Sequence, residues 1–139
     1  MPKRLDQKAL LRVVDANFNR AKEGLRVCED TARFVFDSRG LAKGYKDARH
    51  QLTDVISGFG LQALLSARDI QGDVGKTTTA PELVRSSVSD IFRANSQRVK
   101  ESLRVLEEFA KLVDIATAEN LKLLRYKVYA LEKSALVGS

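Results

Sequence analysis

The sequence predicts an all-α fold: a helical bundle of two duplicated helical hairpins with internal pseudo-twofold symmetry. Three observations lead there. First, residues 16–35, ANFNRAKEGLRVCEDTARFV, recur without a gap as residues 94–113, ANSQRVKESLRVLEEFAKLV. Eleven pairs are identical: Ala16/Ala94, Asn17/Asn95, Arg20/Arg98, Lys22/Lys100, Glu23/Glu101, Leu25/Leu103, Arg26/Arg104, Val27/Val105, Glu29/Glu107, Ala32/Ala110 and Val35/Val113. Second, the apolar residues Val14, Phe18, Ala21, Leu25, Cys28, Ala32 and Val35 alternate steps of four and three, the stripe of one helix face. Third, no segment alternates with period two for long enough to form a sheet.

The first helix is expected over about 5–37, with Ser38-Arg39-Gly40 supplying its stop and turn. A second, about 41–57, carries Leu41, Tyr45, Ala48, Leu52, Val55 and Ile56; Gly58-Phe59-Gly60 interrupts it before a short apolar continuation at 61–66. Residues 67–81, ARDIQGDVGKTTTAP, form the one long polar, glycine-bearing stretch and read as a loop at one end of the bundle. Thr79-Ala80-Pro81-Glu82 has the form of a capping box with proline in the first turn, which starts a third helix over about 82–113. Its stripe is Val84, Val88, Ile91 or Phe92, Asn95, Val99, Leu103, Leu106, Ala110 and Val113, and Thr117 caps a fourth helix over about 118–136. With a turn two residues shorter in the second copy, Arg49-His50-Gln51-Leu52 aligns with Arg125-Tyr126-Lys127-Val128. The repeating unit is therefore a hairpin. The 139 residues fit one helical domain: repeat one about 5–66, the connecting loop 67–81, repeat two about 82–136.

A net charge of +6 and a pI near 9.6 suggest an anionic partner, nucleic acid or a phosphorylated metabolite. Acidic residues are interleaved with the basic ones and aromatics are 6% of the chain, which argues against nucleic acid. A single cysteine, Cys28, permits no internal disulfide and suits a reducing compartment. No run is apolar enough for a signal peptide or a membrane span, so a cytoplasmic protein with no membrane partner is expected.

Six of the repeated pairs are polar or charged: the Asn, Lys and two Arg and two Glu pairs named above. On a helical wheel Asn17, Arg20, Gly24 and Val27 lie beside the apolar stripe, matched by Asn95, Arg98, Ser102 and Val105. Arginine there can grip a phosphate with two prongs, and asparagine offers donor and acceptor to a heterocycle edge; the competing reading is an Arg–Glu network tying helices together. Lys22, Arg26, Glu29 and Arg33, matched by Lys100, Arg104, Glu107 and Lys111, read as a solvated face with surface ion pairs or as a face buried in a homodimer or in a site. In the loop, Arg68, Asp69, Gly72, Asp73 and Gly75 combine a cation, carboxylates and flexible backbone, which suits magnesium-bound phosphate as well as a plain connection. Gly75-Lys76-Thr77 is no nucleotide P-loop, because Ile70 stands where that motif needs its first glycine. Cys28 is expected in the core and His50 in helix packing or in a hydrogen bond to substrate.

The ordered set Asp15-Ala16-Asn17, Asn19-Arg20, Glu23-Gly24-Leu25-Arg26-Val27, Glu29-Asp30, Arg49-His50, Ala67-Arg68-Asp69, Gly72-Asp73-Val74-Gly75, Arg93-Ala94-Asn95, Leu103-Arg104-Val105-Leu106-Glu107-Glu108 and Leu124-Arg125-Tyr126 resembles one family. It resembles the monofunctional hydroxymethylpyrimidine-phosphate kinases of thiamine biosynthesis, whose domain occurs alone or fused ahead of thiamine-phosphate synthase. The resemblance covers about 12–133 and implies a stand-alone form, or an excised domain, that uses ATP to convert 4-amino-5-hydroxymethyl-2-methylpyrimidine phosphate to the pyrophosphate. It leaves the residue roles open.

The chemistry of that reaction suggests those roles. The attacking phosphate is already largely ionised near neutral pH, so charge neutralisation and in-line positioning matter more than a general base. On this basis Arg20, Arg98 and Arg68 are the expected catalytic residues, and Asn17, Asn95, Glu23, Glu101, Arg49 and His50 the substrate-binding ones. Gly72, Asp73 and Gly75 form the expected phosphate loop, Asp69 and Asp73 hold Mg2+, and ATP is the co-substrate. The other readings are a non-catalytic phosphometabolite-binding or regulatory domain and, less well supported, a nucleic-acid-binding module.

Overall fold

The computed structural model describes residues 5–77 and 84–138. They form an all-α bundle of five helices, with no strand among the described residues. Helix α1 is Gln7–Asp30, α2 Arg39–Ile56, α3 Leu61–Ala67, α4 Val88–Ala110 and α5 Ile115–Leu136.

Each boundary has a local cause. Asp6 starts α1 by accepting the Ala9 amide at 2.7 Å. A π-helical turn, Thr31–Val35, follows α1, and Thr31 Oγ1 donates to the Val27 carbonyl at 2.8 Å. This wide turn rotates the stripe, so Val35, predicted to be on it, is 56% exposed. The chain reverses at Asp37, whose φ of 54° is left-handed, and Ser38 caps α2 by accepting the Leu41 amide. Of the expected stop Ser38-Arg39-Gly40, Ser38 is the cap, and Arg39 and Gly40 lie inside α2. Gly60, with φ 84°, does make the break before α3.

Helix α4 begins later than predicted, at Val88. Residues 84–87 are not helical, and the expected capping box at 79–82 lies outside the described residues. A different box does the capping: Ser87 Oγ accepts the Asp90 amide at 3.1 Å, and Asp90 Oδ2 accepts the Ser86 amide at 3.0 Å. Helix α5 begins earlier than predicted. Asp114 occupies its cap position, and Thr117 lies within the first turn, donating its hydroxyl to Asp114 at 2.8 Å.

Helix α1 packs between α2 and α4, and α5 closes the ring between α4 and α2. Cys28 lies against Phe92 and Gly24 against Val99, so α1 and α4 run antiparallel. Gly44 meets Leu131 and Gln51 meets Lys127, so α2 and α5 do too. The core is the predicted stripes, Val14, Ala21, Leu25 and Cys28 of α1, Tyr45 and Leu52 of α2, and Phe92, Val99 and Leu103 of α4, joined by Leu121 and Val128 of α5. Of the pair Ile91 and Phe92, it is Phe92 that is buried.

Two expectations change. Helix α4 starts beside the α1–α2 turn, where Phe92 meets Phe36, whereas α2 ends at the opposite end of the bundle. The connection between the hairpins therefore joins opposite ends rather than sitting at one end, and α3 within it packs on α1. The face carrying Glu29 and Glu107 is not simply solvated either. Glu29 accepts from Arg49 Nε of α2 at 3.1 Å, and Glu107 from Arg125 Nε of α5 at 3.1 Å. These carboxylates are buried within the chain, so their repetition needs no partner subunit to explain it.

Candidate functional site

Two recesses open along α1. The larger, about 740 Å³, lies over the N-terminal half of α1 and under the segment after α3, lined among others by Arg12, Ala16, Asn19, Arg20, Glu23, Arg68, Asp69 and Asp73. The smaller, about 380 Å³, lies in the seam between α1 and α4, lined by Asn17, Arg20, Ala94, Gln97, Arg98, Glu101, Ser102 and Val105. Asn17 and Arg20 line both.

The larger recess depends on one ion pair. Arg68 Nε and Nη2 donate to Asp15 Oδ2 and Oδ1, both at 2.8 Å, in a two-pronged geometry. Asp15 is only 5% exposed, and Asn19 Nδ2 also donates to its Oδ1 at 3.1 Å. The Asp15 carboxylate raises the Arg68 pKa further above its ordinary value, first through the hydrogen bonds and then through charge. Arg68 thus latches the following loop to α1. Beyond it, Asp69 Oδ1 accepts the Gly72 amide and Asp73 Oδ1 accepts the Gly75 amide, each at 2.8 Å. A side chain at Gly72 would collide with the Asp69 carboxylate, so the glycine permits the tight turn.

The expected site residues divide into three groups. Arg20 and Arg98 meet in the seam recess with Asn17 and Glu101, while Glu23, Arg68, Asp69 and Asp73 meet in the larger one, whose loop carries Gly72 and Gly75. Arg49 and His50 line neither: Arg49 is in the ion pair with Glu29, and His50 is exposed on α2 rather than packed. Asn95 lines neither; its Nδ2 donates to the Ile91 carbonyl at 2.8 Å, as Asn17 Nδ2 donates to the Val13 carbonyl at 2.9 Å. Cys28 is in the core, where burial and then the Glu132 carboxylate push its thiol up to about 12.

Sequence reasoning gave no role to Arg12, Asp15, Asn19 or Gln97. Arg12 shares a helix face with Ala16, Asn19 and Glu23, a spacing visible in the sequence. Asn19 and Gln97 occupy equivalent repeat positions, an amide in each copy, which a search for identities passes over.

The open loop carboxylates suit a metal–phosphate complex. The Oδ2 of Asp69 and of Asp73 takes no hydrogen bond among the described residues, leaving one oxygen on each for a cation. No group of three or more acidic, His or Cys residues forms a protein-only metal cage among the described residues. A cation here would complete its shell with substrate oxygens and water.

The profile of the ThiD2 family matches residues 12–134. The chain belongs to the ThiD2 family. It is 46% identical over 132 residues to a thiamine-phosphate synthase of Synechocystis sp., covering 94% of this chain and 37% of that protein. Thiamine-phosphate synthases of Nostoc punctiforme and Rhodopirellula baltica are 40% and 37% identical, over 94% and 90% of this chain and 36% and 34% of their own lengths. This ThiD2-family chain thus spans little more than a third of the curated relatives it matches. No solved structure matches it. Among its described residues, no helix is long and apolar enough to cross a membrane.

Proposed function

We propose that the chain acts in thiamine biosynthesis as a kinase, transferring the γ-phosphoryl group of ATP to 4-amino-5-hydroxymethyl-2-methylpyrimidine phosphate. One observation carries the reading: Arg20 and Asn17 stand at the junction of two adjoining recesses. A phosphoryl transfer needs two phosphorylated ligands side by side with a cation at the point of exchange. Family membership and the names of the relatives supply the thiamine context.

In this reaction a phosphate oxygen of the pyrimidine bonds to the γ-phosphorus as the bond to the β–γ bridging oxygen breaks. ADP leaves with that electron pair. The acceptor phosphate, with a second pKa near 6, needs no strong base. Arg20 neutralises charge on the transferred group, Arg98 holds the second phosphate, and Arg68 keeps the loop in place through Asp15. Asp69 and Asp73 are the residues that would hold magnesium, which when bound neutralises and aligns the phosphates of ATP.

A coupled assay of ADP release, dependent on the pyrimidine phosphate, tests the proposal. Arg20 is exposed, so Arg20→Met leaves the fold intact; loss of its charge at the transition state costs roughly 2–4 kcal/mol, a fall in turnover of about 10²–10³. Wild-type turnover in Arg20→Met, or no ADP release by the wild type, defeats it. The second outcome, with binding retained, would leave a non-catalytic phosphometabolite-binding domain.

A further inference from the structure

The two recesses differ in charge, size and construction, and the differences suit different ligands. In the larger recess Arg12, Arg20 and Arg68 face Asp15, Glu23, Asp69 and Asp73. Fixed charge there is close to balanced, and Arg68 is neutralised by Asp15. A bare phosphate brought beside Asp69 and Asp73 would meet like charge, whereas a polyphosphate carrying a divalent cation would bring them the opposite charge. In the seam recess Arg20 and Arg98 face only Glu101, an excess of positive charge that suits a phosphate monoester without a metal. Its walls fit a small heterocycle: Ala94 and Val105 are apolar, and Gln97 and Ser102 offer hydrogen bonds to ring nitrogen and amino groups. The volumes, about 740 and 380 Å³, follow the same order as the sizes of a nucleoside triphosphate and a one-ring phosphate.

Resting on the kinase reading, we infer that the recesses divide the substrates: the latched recess takes the metal-complexed nucleoside triphosphate, the seam recess takes the phosphorylated pyrimidine, and Arg20 stands between them. Asp15 is then a positioning residue for the nucleotide. It acts through Arg68, which carries Asp69 and Asp73 on the same loop. At the equivalent position of the second repeat stands Arg93, exposed on α4, so that latch belongs to the first copy alone.

Calorimetric titration of the full chain decides this, using magnesium with a non-hydrolysable ATP analogue and, separately, the pyrimidine monophosphate. Asp73 and Gln97 are both exposed, so Asp73→Asn and Gln97→Met leave the fold intact, which circular dichroism verifies. Asp73→Asn weakens the nucleotide by about tenfold and leaves the pyrimidine within about twofold; Gln97→Met does the reverse, the size of one lost polar or metal contact. Asp15→Asn raises the KM for ATP with the KM for the pyrimidine unchanged, a split that general destabilisation would not produce. The inverse pattern, or equal loss of both ligands in each variant, overturns the division. Failure of the wild type to bind either ligand overturns it too. Separate binding with no ADP release upholds the division while removing the kinase reading.

Discussion

The α1–α2 and α4–α5 hairpins share one sequence pattern, yet they use its residues for different ends. Where the copies agree, the side chains mostly hold helices. Glu29–Arg49 and Glu107–Arg125 are the same inter-helix ion pair, each 3.1 Å long. Asn17 and Asn95 each donate to the carbonyl four residues earlier. Where the copies differ, the larger recess appears: Arg12 and Asp15 in the first copy stand opposite Asp90 and Arg93 in the second. Only the first hairpin is followed by α3 and the latched loop among the described residues. Ala16/Ala94, Arg20/Arg98 and Glu23/Glu101, with Asn17 and Val105, are repeated residues that do line the recesses. Identity between copies thus marks both the shared ion pairs and the seam recess, whereas divergence marks the larger recess.

The largest effect should come from breaking the shared ion pairs. Arg49→Met leaves Glu29 buried without its partner, whereas after Arg125→Met Glu107 keeps a second one, Arg104 Nη1 at 3.3 Å. Removing one partner of a buried pair costs about 3 kcal/mol at the low end of the usual range, suited to arginines that are partly exposed. Urea denaturation should show a loss of this size in Arg49→Met and a smaller one in Arg125→Met, with ligand affinity of the folded protein retained. If Arg49→Met keeps its stability but loses the pyrimidine phosphate, Arg49 returns to the substrate-binding role that the sequence suggested, and the shared pairs are not scaffold.

The seam gives a smaller and one-sided effect. A methyl group on Gly24 would lie 2.7 Å from Val99 Cγ2 and 3.0 Å from the Asn95 carbonyl oxygen, closer than ordinary packing. Part of that obstacle is backbone, so α1 and α4 must separate. Gly24→Ala should cost about 2 kcal/mol. Ser102, its counterpart, already carries a Cβ in the seam, so Ser102→Ala should cost about 1 kcal/mol or less. Comparable urea midpoints for the two variants would show that Gly24 does not set the approach of the helices.

The all-α class, the hairpin pairs and most core residues were legible because apolar periodicity reports burial directly. Helix ends were less legible. Thr79 to Glu82 and Ser87 to Asp90 both spell capping boxes, and nothing local says which one starts α4. The wheel and the repeat set Arg20 and Arg98 beside the apolar stripe of each copy, but not in one shared recess. Nor was the Asp15–Arg68 latch legible, because it joins residues far apart in the chain through the placement of α3. Arg49 is ambiguous for a related reason. A repeated arginine signals a constraint, but only the fold tells whether its carboxylate partner is on the neighbouring helix or its anion is a ligand.

The smallest effect concerns the two turns, and its sign matters more than its size. The sequence reading gave the stop and turn to Ser38-Arg39-Gly40 together. Instead the left-handed position is Asp37, and Gly40 lies in the first turn of α2 with nothing within 4 Å of where a Cβ would stand. In the second hairpin the equivalent residue is Ala116, also in the first turn of its helix. Glycine there costs backbone entropy that alanine does not, so Gly40→Ala should stabilise the protein by about 0.5–1 kcal/mol. A thermal melt is sufficient to read it. A higher melting temperature would mean that the first turn tolerates the residue the second already uses, and that the π-helical turn and Asp37 accomplish the reversal. A lower one would mean that the turn draws on the freedom of Gly40 after all, making this a position where the hairpins differ by necessity.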